Sequence, residues 1–347
     1  MTPSQNKKSK RIWLIVLCCF LSVILIVVGT VGYLWFSGKR GLLKNNGTIA
    51  SDIGVEAVVN EDNTVVYKGK VYKYNENITA ILCMGIDDTK KTSGGVAITG
   101  NAGQADALYL MAIDVENGKT TVVGIPRDTY TDVDVYSKSG SFIGMQKKQI
   151  CLAFAYGDGK DKSCENVVNS VSKLFYGMPV NSYFAVNSKA IASLHNAVGT
   201  VTVIPNETLT VGNVTYYKDV PAKLYGSNVF AYLQTRNQQT ADASYLRMQR
   251  QLDYISKYSA AVIEKTKEDI TFPVKLYNKV QKKAITNLDA GKIGYLATSV
   301  VSSKKTASLQ FISLKGEQIK GESGYAEFYP DETNLFETML KLYYTEQ

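Results

Sequence analysis

The chain has 347 residues, 45% of them hydrophobic, with 39 basic against 31 acidic residues and a net charge of +8. Seven of those basic residues (Lys7, Lys8, Lys10, Arg11, Lys39, Arg40 and Lys44) flank one apolar run, and no acidic residue precedes Asp52, so the remainder holds 32 basic against 31 acidic. A nearly neutral body without a recognition motif excludes nucleic acid as a partner and direct DNA binding as a function. The roughly 290 residues beyond Asn60 suffice for one large α/β domain or at most two small ones.

Residues 1–11 read as a basic cytoplasmic tail, and 12–36 as a transmembrane signal-anchor helix. The run Ile12 to Phe36 has no charged residue. As a helix it spans about 37 Å, longer than the roughly 30 Å hydrocarbon core and too long for the apolar part of a cleaved signal. Four basic residues precede it, which favours an N-terminus inside the cell. Gly38 to Asn60 is aperiodic and reads as a stalk over 37–60.

A folded domain over 61–347 follows. Thr64 to Tyr67 and Val71 to Tyr74, around Lys68-Gly69, predict a hairpin, and Ile78 to Met84 a buried strand. The Gly- and Thr-rich stretch from Thr89 to Gly103 reads as a candidate flap. Ala107 to Asp114 and Thr120 to Ile125 are joined through Asn117-Gly118, a strong hairpin signal. Centring the turn on that pair sets Leu108 opposite Arg127 and Asp106 opposite Thr129, so that Asp106, Arg127 and Asp128 share one end of the hairpin. Pro126 ends the second strand.

Helical patterns follow over Ser163 to Leu174, Ser188 to Val198 (before the strand Thr200 to Ile204), Ser227 to Thr235 and, longest, Ser244 to Lys267. The C-terminal part alternates helix (Asp289 to Ser299), strand (Ser308 to Leu314) and helix (Asp331 to Tyr343).

Two clusters carry chemistry. Asp87, Asp106, Arg127 and Asp128 offer carboxylates that suit Mg²⁺ and a guanidinium whose planar fork matches phosphate; strand-end caps and turn locks use the same residue types. Arg236, Arg247, Arg250 and Gln251 form the other. Positions 247, 250 and 251 follow one another at helical spacing near a helix N-terminus, which favours anions, although a solvated surface with scattered ion pairs has the same pattern. His195, the single histidine, faces solvent or satisfies a local partner and builds no triad, because no G-x-S-x-G element accompanies it. Cys151 and Cys164 would both lie outside the cell, where a disulfide between them could persist.

Read in order, Ile81-Leu-Cys-Met-Gly-Ile-Asp87, Gly103-Gln-Ala-Asp106, Gly124-Ile-Pro-Arg-Asp-Thr-Tyr130, Ala153-Phe-Ala-Tyr-Gly157, Ala231-Tyr-Leu-Gln-Thr-Arg236 and Arg247-Met-Gln-Arg-Gln251 resemble the motifs of the LytR-CpsA-Psr family. The resemblance spans a core of about 77–268, and 269–347 looks like the family's C-terminal extension. It implies a three-layer α/β/α sandwich around a mixed central β-sheet, preceded by one transmembrane helix, with an apolar tunnel for a polyprenyl tail. The implied activity transfers a glycopolymer from a polyprenyl-pyrophosphate carrier to peptidoglycan, on the outer side of a bacterial cell membrane crossed once by the chain.

By motif, the resemblance implies that Asp87 and Asp106 hold Mg²⁺ or Mn²⁺ or assist deprotonation of the accepting hydroxyl. Arg127, Arg236, Arg247 and Arg250 would neutralise the diphosphate, with Gln104, Asp128, Gln234 and Gln251 as further substrate-binding residues. Gln104 and Gln234 stand where the family usually has arginine, Cys151 where it has asparagine and Ser244 where it has an acidic residue. Losing two charge-assisted contacts, each worth roughly 1.5 to 3 kcal/mol, would slow transfer. A weakly active or non-catalytic homologue that binds lipid-linked glycan is therefore an alternative, as is a polyprenyl-pyrophosphate pyrophosphatase.

Overall fold

The computed structural model describes residues 30–43, 47–49, 53–86, 103–137, 139–226, 228–236, 242–302, 308–322 and 324–347. Asp87, the candidate flap up to residue 102 and residues 12–29 of the expected anchor lie outside these. Among the described residues no helix is long and apolar enough to cross a membrane.

A six-stranded mixed sheet forms the centre, in the order Ala284–Thr286, Ser182–Val186, Ile78–Ile86, Ala105–Asp114, Lys119–Ile125, Ser308–Ser313. The strands Ile78–Ile86 and Ser182–Val186 run parallel, as do Lys119–Ile125 and Ser308–Ser313; the other neighbours are antiparallel. Successive side chains alternate between faces. On one face Leu82, Met84, Leu108 and Leu110 join Phe154, Val167, Val171 and Phe336 in the main core. On the other, Tyr109 and Val122 pack on Met248 and Leu252 of the long helix Ala243–Glu268, and Ile81 and Ile113 on Tyr277 and Tyr295. Helices thus cover both faces of the sheet.

The central hairpin forms as expected but in a different register: Leu108 pairs with Ile125 and Tyr109 with Gly124. The turn is set by Asp114, whose carboxylate accepts from the backbone N–H groups of Glu116 and Asn117, while Gly118 takes φ 68° and bonds back to the Asp114 carbonyl. A turn of this kind adds a left-handed residue instead of centring on Asn-Gly. The shift is by two residues, so every side chain keeps its face, and extending the register brings Asp106, not Leu108, opposite Arg127.

Residues 269–347 are built into the fold. They provide both edge strands of the central sheet, the helix Glu332–Tyr343 in the main core, and a last strand, Tyr344–Glu346, paired with Lys70–Tyr74. At the other end, residues 30–42 form one helix that runs past the expected anchor and stalk boundary. Its Trp35 ring meets Tyr295 edge-on at 5.2 Å and donates to Thr298, and Gly38 lies against the backbone of Gly291, where a Cβ would collide with the carbonyl.

Two stretches without a strong period hold extra hairpins, Tyr130–Tyr136 with Phe142–Gln149 and Gly316–Lys320 with Ala326–Pro330. The second meets the first at the bridge between Thr129 and Phe328, one residue beyond Asp128.

Candidate active site

Gly124 positions the site. A Cβ there would stand 2.9 Å from Leu252 and 3.1 Å from Met248, so the bare backbone lets the long helix settle against the hairpin. That approach carries Arg247, in the first turns of the helix, to the end of the strand Ala105–Asp114, where its Nη2 donates to the Asp106 carbonyl at 3.2 Å. Arg127 leaves the neighbouring strand and pairs with the Asp106 carboxylate. Its Nε lies 3.4 Å from Asp128, and its Nη2 donates to Gln104 at 2.5 Å and to the Cys151 sulfur at 3.4 Å.

Asp106, Arg247, Gln234 and Gln251 open onto a cavity of about 330 Å³ between the sheet and the helices Ser188–Val198, Asn228–Gln234 and Ala243–Glu268. Its walls are otherwise dominated by apolar and aromatic groups, among them Met84, Phe184, Leu194, Phe230 and Ile255. A volume near 300 Å³ with a few convergent polar groups is what small-molecule sites show. At the floor, the Tyr109 hydroxyl donates to Gln251 Oε1 at 2.7 Å, and Gln251 Nε2 donates to the Leu233 carbonyl at 2.8 Å, fixing the amide. Burial pushes the Tyr109 hydroxyl pKa up and moves the Cys83 thiol to about 12, so both stay neutral and keep the cavity wall uncharged.

Arg247 is 6% exposed. Burial chiefly, then the nearby Arg127 and Arg236, pull its pKa down to about 10, so at neutral pH it is a buried cation at the mouth of an apolar cavity. Such a charge is costly unless an anion meets it.

Arg250, three residues on, has a different fate. It is 1% exposed and turns away from the cavity: its Nη1 donates to Glu207 at 2.6 Å, the remaining donors take the Tyr232 and Thr235 carbonyls, and its plane lies 5.4 Å from the Tyr232 ring. It ties the long helix to the helix that ends at Gln234. Arg236, just beyond, is exposed and donates to Ser244 at 3.1 Å. The structure thus gathers Gln104, Asp106, Arg127, Asp128 and Arg247, with Gln234 and Gln251 on the same cavity, while Arg250 stands behind them.

Cys151 and Cys164 are both buried free thiols, so no disulfide joins them; the Cys151 sulfur serves Arg127 instead. His195 is buried, not solvent-facing, and its Nδ1 lies 3.1 Å from the Tyr254 hydroxyl; burial lowers its pKa. Sequence reasoning passed over Tyr109 and Glu207, and quoted Gly124 only as the start of a motif. The first alternates with apolar neighbours like any strand residue, and the other two gain meaning only from what packs on them. Among the described residues no group of three acidic, histidine or cysteine side chains forms a ready metal cage.

Residues 37–342 match the LytR_cpsA_psr family, and the chain belongs to it. A protein of Bacillus subtilis (strain 168) named polyisoprenyl-teichoic acid--peptidoglycan teichoic acid transferase TagV is 26% identical over 339 residues, covering 95% of this chain and 77% of the relative. A TagU of the same activity name from Oceanobacillus iheyensis is 23% identical, covering 92% of this chain and 91% of its own. Among solved structures, B. subtilis TagV superposes with a TM-score of 0.57 at 22% identity, over 77% of this chain and 96% of that one. A structure of TagT bound to LI-WTA gives 0.56 at 22% identity, over 77% and 89%. These likenesses establish a mixed α/β fold around a central mixed sheet.

Proposed function

We propose that this chain is a membrane-anchored phosphotransferase that moves a glycopolymer from a polyprenyl-pyrophosphate carrier to peptidoglycan, with its C-terminal domain outside the bacterial cell membrane. The observation that carries this reading is an apolar cavity whose mouth holds Arg247 as a buried cation beside the Arg127 and Asp106 pair. The curated relatives bear names for the corresponding reaction with teichoic acid.

A polyprenyl tail gains about 0.8 kcal/mol for each methylene taken out of water, and the apolar wall offers it that surface. The diphosphate then lies at the mouth, where Arg247 supplies the charge that burial has left uncompensated, and Arg127 turns from Asp106 toward the phosphate oxygens. Transfer joins the acceptor hydroxyl oxygen to the sugar-side phosphorus as the bond to the bridging oxygen breaks, polyprenyl phosphate departs, and the hydroxyl proton passes to Asp106. Positioning and charge stabilisation are what such a phosphoryl transfer needs, which accounts for a site without a nucleophile.

Mg²⁺ is usually held by one or two carboxylates together with substrate phosphates, so a three-acid cage is not required. Asp106 at the mouth fits as one such carboxylate, and Asp87, which follows Ile86 in the sequence and lies outside the described residues, would be the other. When bound, Mg²⁺ or Mn²⁺ would offset charge on the diphosphate. Arg250 acts by position, fixing Gln234 relative to Arg247.

A slow enzyme is favoured by one detail: Gln104 offers its carbonyl oxygen to Arg127, so this position adds a neutral acceptor to the cluster and no cation. The test uses the full chain in detergent with a polyprenyl-pyrophosphate glycan and soluble peptidoglycan. The expected products are a phosphodiester-linked polymer and polyprenyl phosphate, with Arg247→Gln lowering the rate about 10²- to 10³-fold. Failure to bind the lipid-linked glycan overturns the reading, and phosphate release without acceptor assigns hydrolysis instead.

A further inference from the structure

A second concavity, of about 490 Å³, lies beside the candidate active site and contrasts with it in chemistry. It is bounded by Lys160 at the start of the helix Asp161–Leu174, by Lys282 and Lys283, and by the edge strand Ala284–Thr286. Ile86, the last residue of its strand, borders both concavities. A register irregularity between Gly85 and Ile86 turns the backbone at that junction, as bulges beside active sites do.

All three lysines are exposed, and none has an ion-pair partner among the described residues. Lys283 is steadied by donating to the Ser193 hydroxyl at 2.7 Å. The acidic residue on the wall, Asp161, is engaged by the Tyr183 hydroxyl at 2.8 Å. Among the described residues the three lysines outnumber the one carboxylate on the lining, so the groove carries net positive charge; the N-terminus of the 14-residue helix beside it is taken by the Asp158 carboxylate, which accepts from the Lys160 and Ser163 N–H groups. Ammonium groups are point charges on flexible stems and hold phosphates without demanding one fixed geometry, which suits a flexible chain of spaced phosphates better than a single planar carboxylate.

We infer that this groove is a subsite for phosphate groups along the polyanionic glycan chain being transferred. The inference rests on the transferase reading above: a glycan attached to a diphosphate at the cavity mouth runs past Ile86 directly into the groove. Lys160 and Lys282 then hold successive phosphates, so the chain selects a charged polymer over a neutral one.

The test measures binding of the full-length protein in detergent to poly(glycerol phosphate) of about ten repeats, which has neither lipid nor diphosphate. An uncharged dextran oligosaccharide and a carboxylate-bearing peptidoglycan fragment are the comparators. The wild type is expected to prefer the polyphosphate, with affinity falling as salt rises. Lys160→Gln with Lys282→Gln is expected to weaken it about tenfold, while Lys160→Arg with Lys282→Arg stays within about twofold. Thermal denaturation of each variant checks that folding is retained. Equal binding by the glutamine variant, no preference over dextran, or tighter binding of the peptidoglycan fragment overturns the subsite. Because this binding needs no turnover, a protein that holds the polyphosphate but neither binds nor cleaves the lipid-linked glycan overturns the transferase reading and not the groove.

Discussion

On one face of the central sheet, Leu82, Met84, Leu108 and Leu110 meet Phe154, Val167, Val171 and Phe336 in a continuous core. On the other, Tyr109, Met111 and Phe184 look across a cavity toward Leu194, Phe230 and Ile255. Both faces are apolar and both are covered by helices, so hydrophobicity alone does not separate them. What separates them is how closely the covering helices approach. The first face is filled with side chains, whereas on the second the long helix packs on Tyr109, Val122 and Gly124 and leaves a cavity beside that contact. The filled face stabilises the fold, and the open face holds the cavity assigned above to the polyprenyl tail in the proposed function.

The sharpest way to break that contrast is within the long helix. Arg250→Met leaves Glu207, on which Arg250 depends at 2.6 Å, without its cation. It is expected to cost about 3 to 5 kcal/mol in urea denaturation. Arg247→Met, by contrast, removes a buried charge that no carboxylate compensates directly, and should leave the midpoint unchanged or raised while diphosphate binding is lost. Equal destabilisation by the two would erase the distinction between a structural and a ligand-facing arginine.

Phe154→Ala on the filled face is expected to cost about 3 to 5 kcal/mol, read from the same denaturation curves. Ile255→Trp on the open face adds bulk where space exists. It should cost less than about 1.5 kcal/mol while reducing binding of a polyprenyl phosphate more than tenfold. If the tryptophan destabilised as much as the alanine, the second face would be packed as tightly as the first.

The smallest effect concerns pH. The Arg247 pKa is pulled from the ordinary 12.5 to about 10, so the folded state holds this proton less tightly than the unfolded chain does. Keeping the residue charged therefore opposes folding below pH 10, and that opposition fades as pH rises from about 10 toward the unfolded value. The same loss of charge removes the attraction for diphosphate. Affinity for inorganic pyrophosphate, measured by calorimetry, should be flat between about pH 7.5 and 9 and fall as pH passes 10. A fall already complete by pH 8 would point to a different group.

Much of this was legible in the sequence because local rules decide it. Alternating strands around Asn117-Gly118, the helix expected from Asp331 to Tyr343, and the periodic helix from residue 243 or 244 all follow from short-range preferences. The ordered motifs pointed to residues expected to share a site, and of these the structure brings Asp106, Arg127 and Arg247 together from two strands and a helix while Arg250 turns to Glu207. The exact hairpin register escaped, since it turned on the Asp114 carboxylate capturing two backbone amides. Weakly periodic segments such as Phe142–Gln149 and Ala284–Thr286 were passed over because pairing partners, not their own pattern, make them strands.

The sequence by itself determined the apolar segment near the N-terminus, the near-neutral body, the family, and the residue types of the two clusters, because composition and motif order are properties of the chain alone. Only the tertiary structure decided that Arg247 faces a cavity while Arg250 serves Glu207, that Cys151 meets Arg127 and not Cys164, and that residues 269–347 close both edges of the sheet. Positions three apart on a helix differ by 300° in direction, so they sit close in projection yet can reach different partners. Which partner each long side chain meets depends on segments far away in the chain, and no local pattern records that.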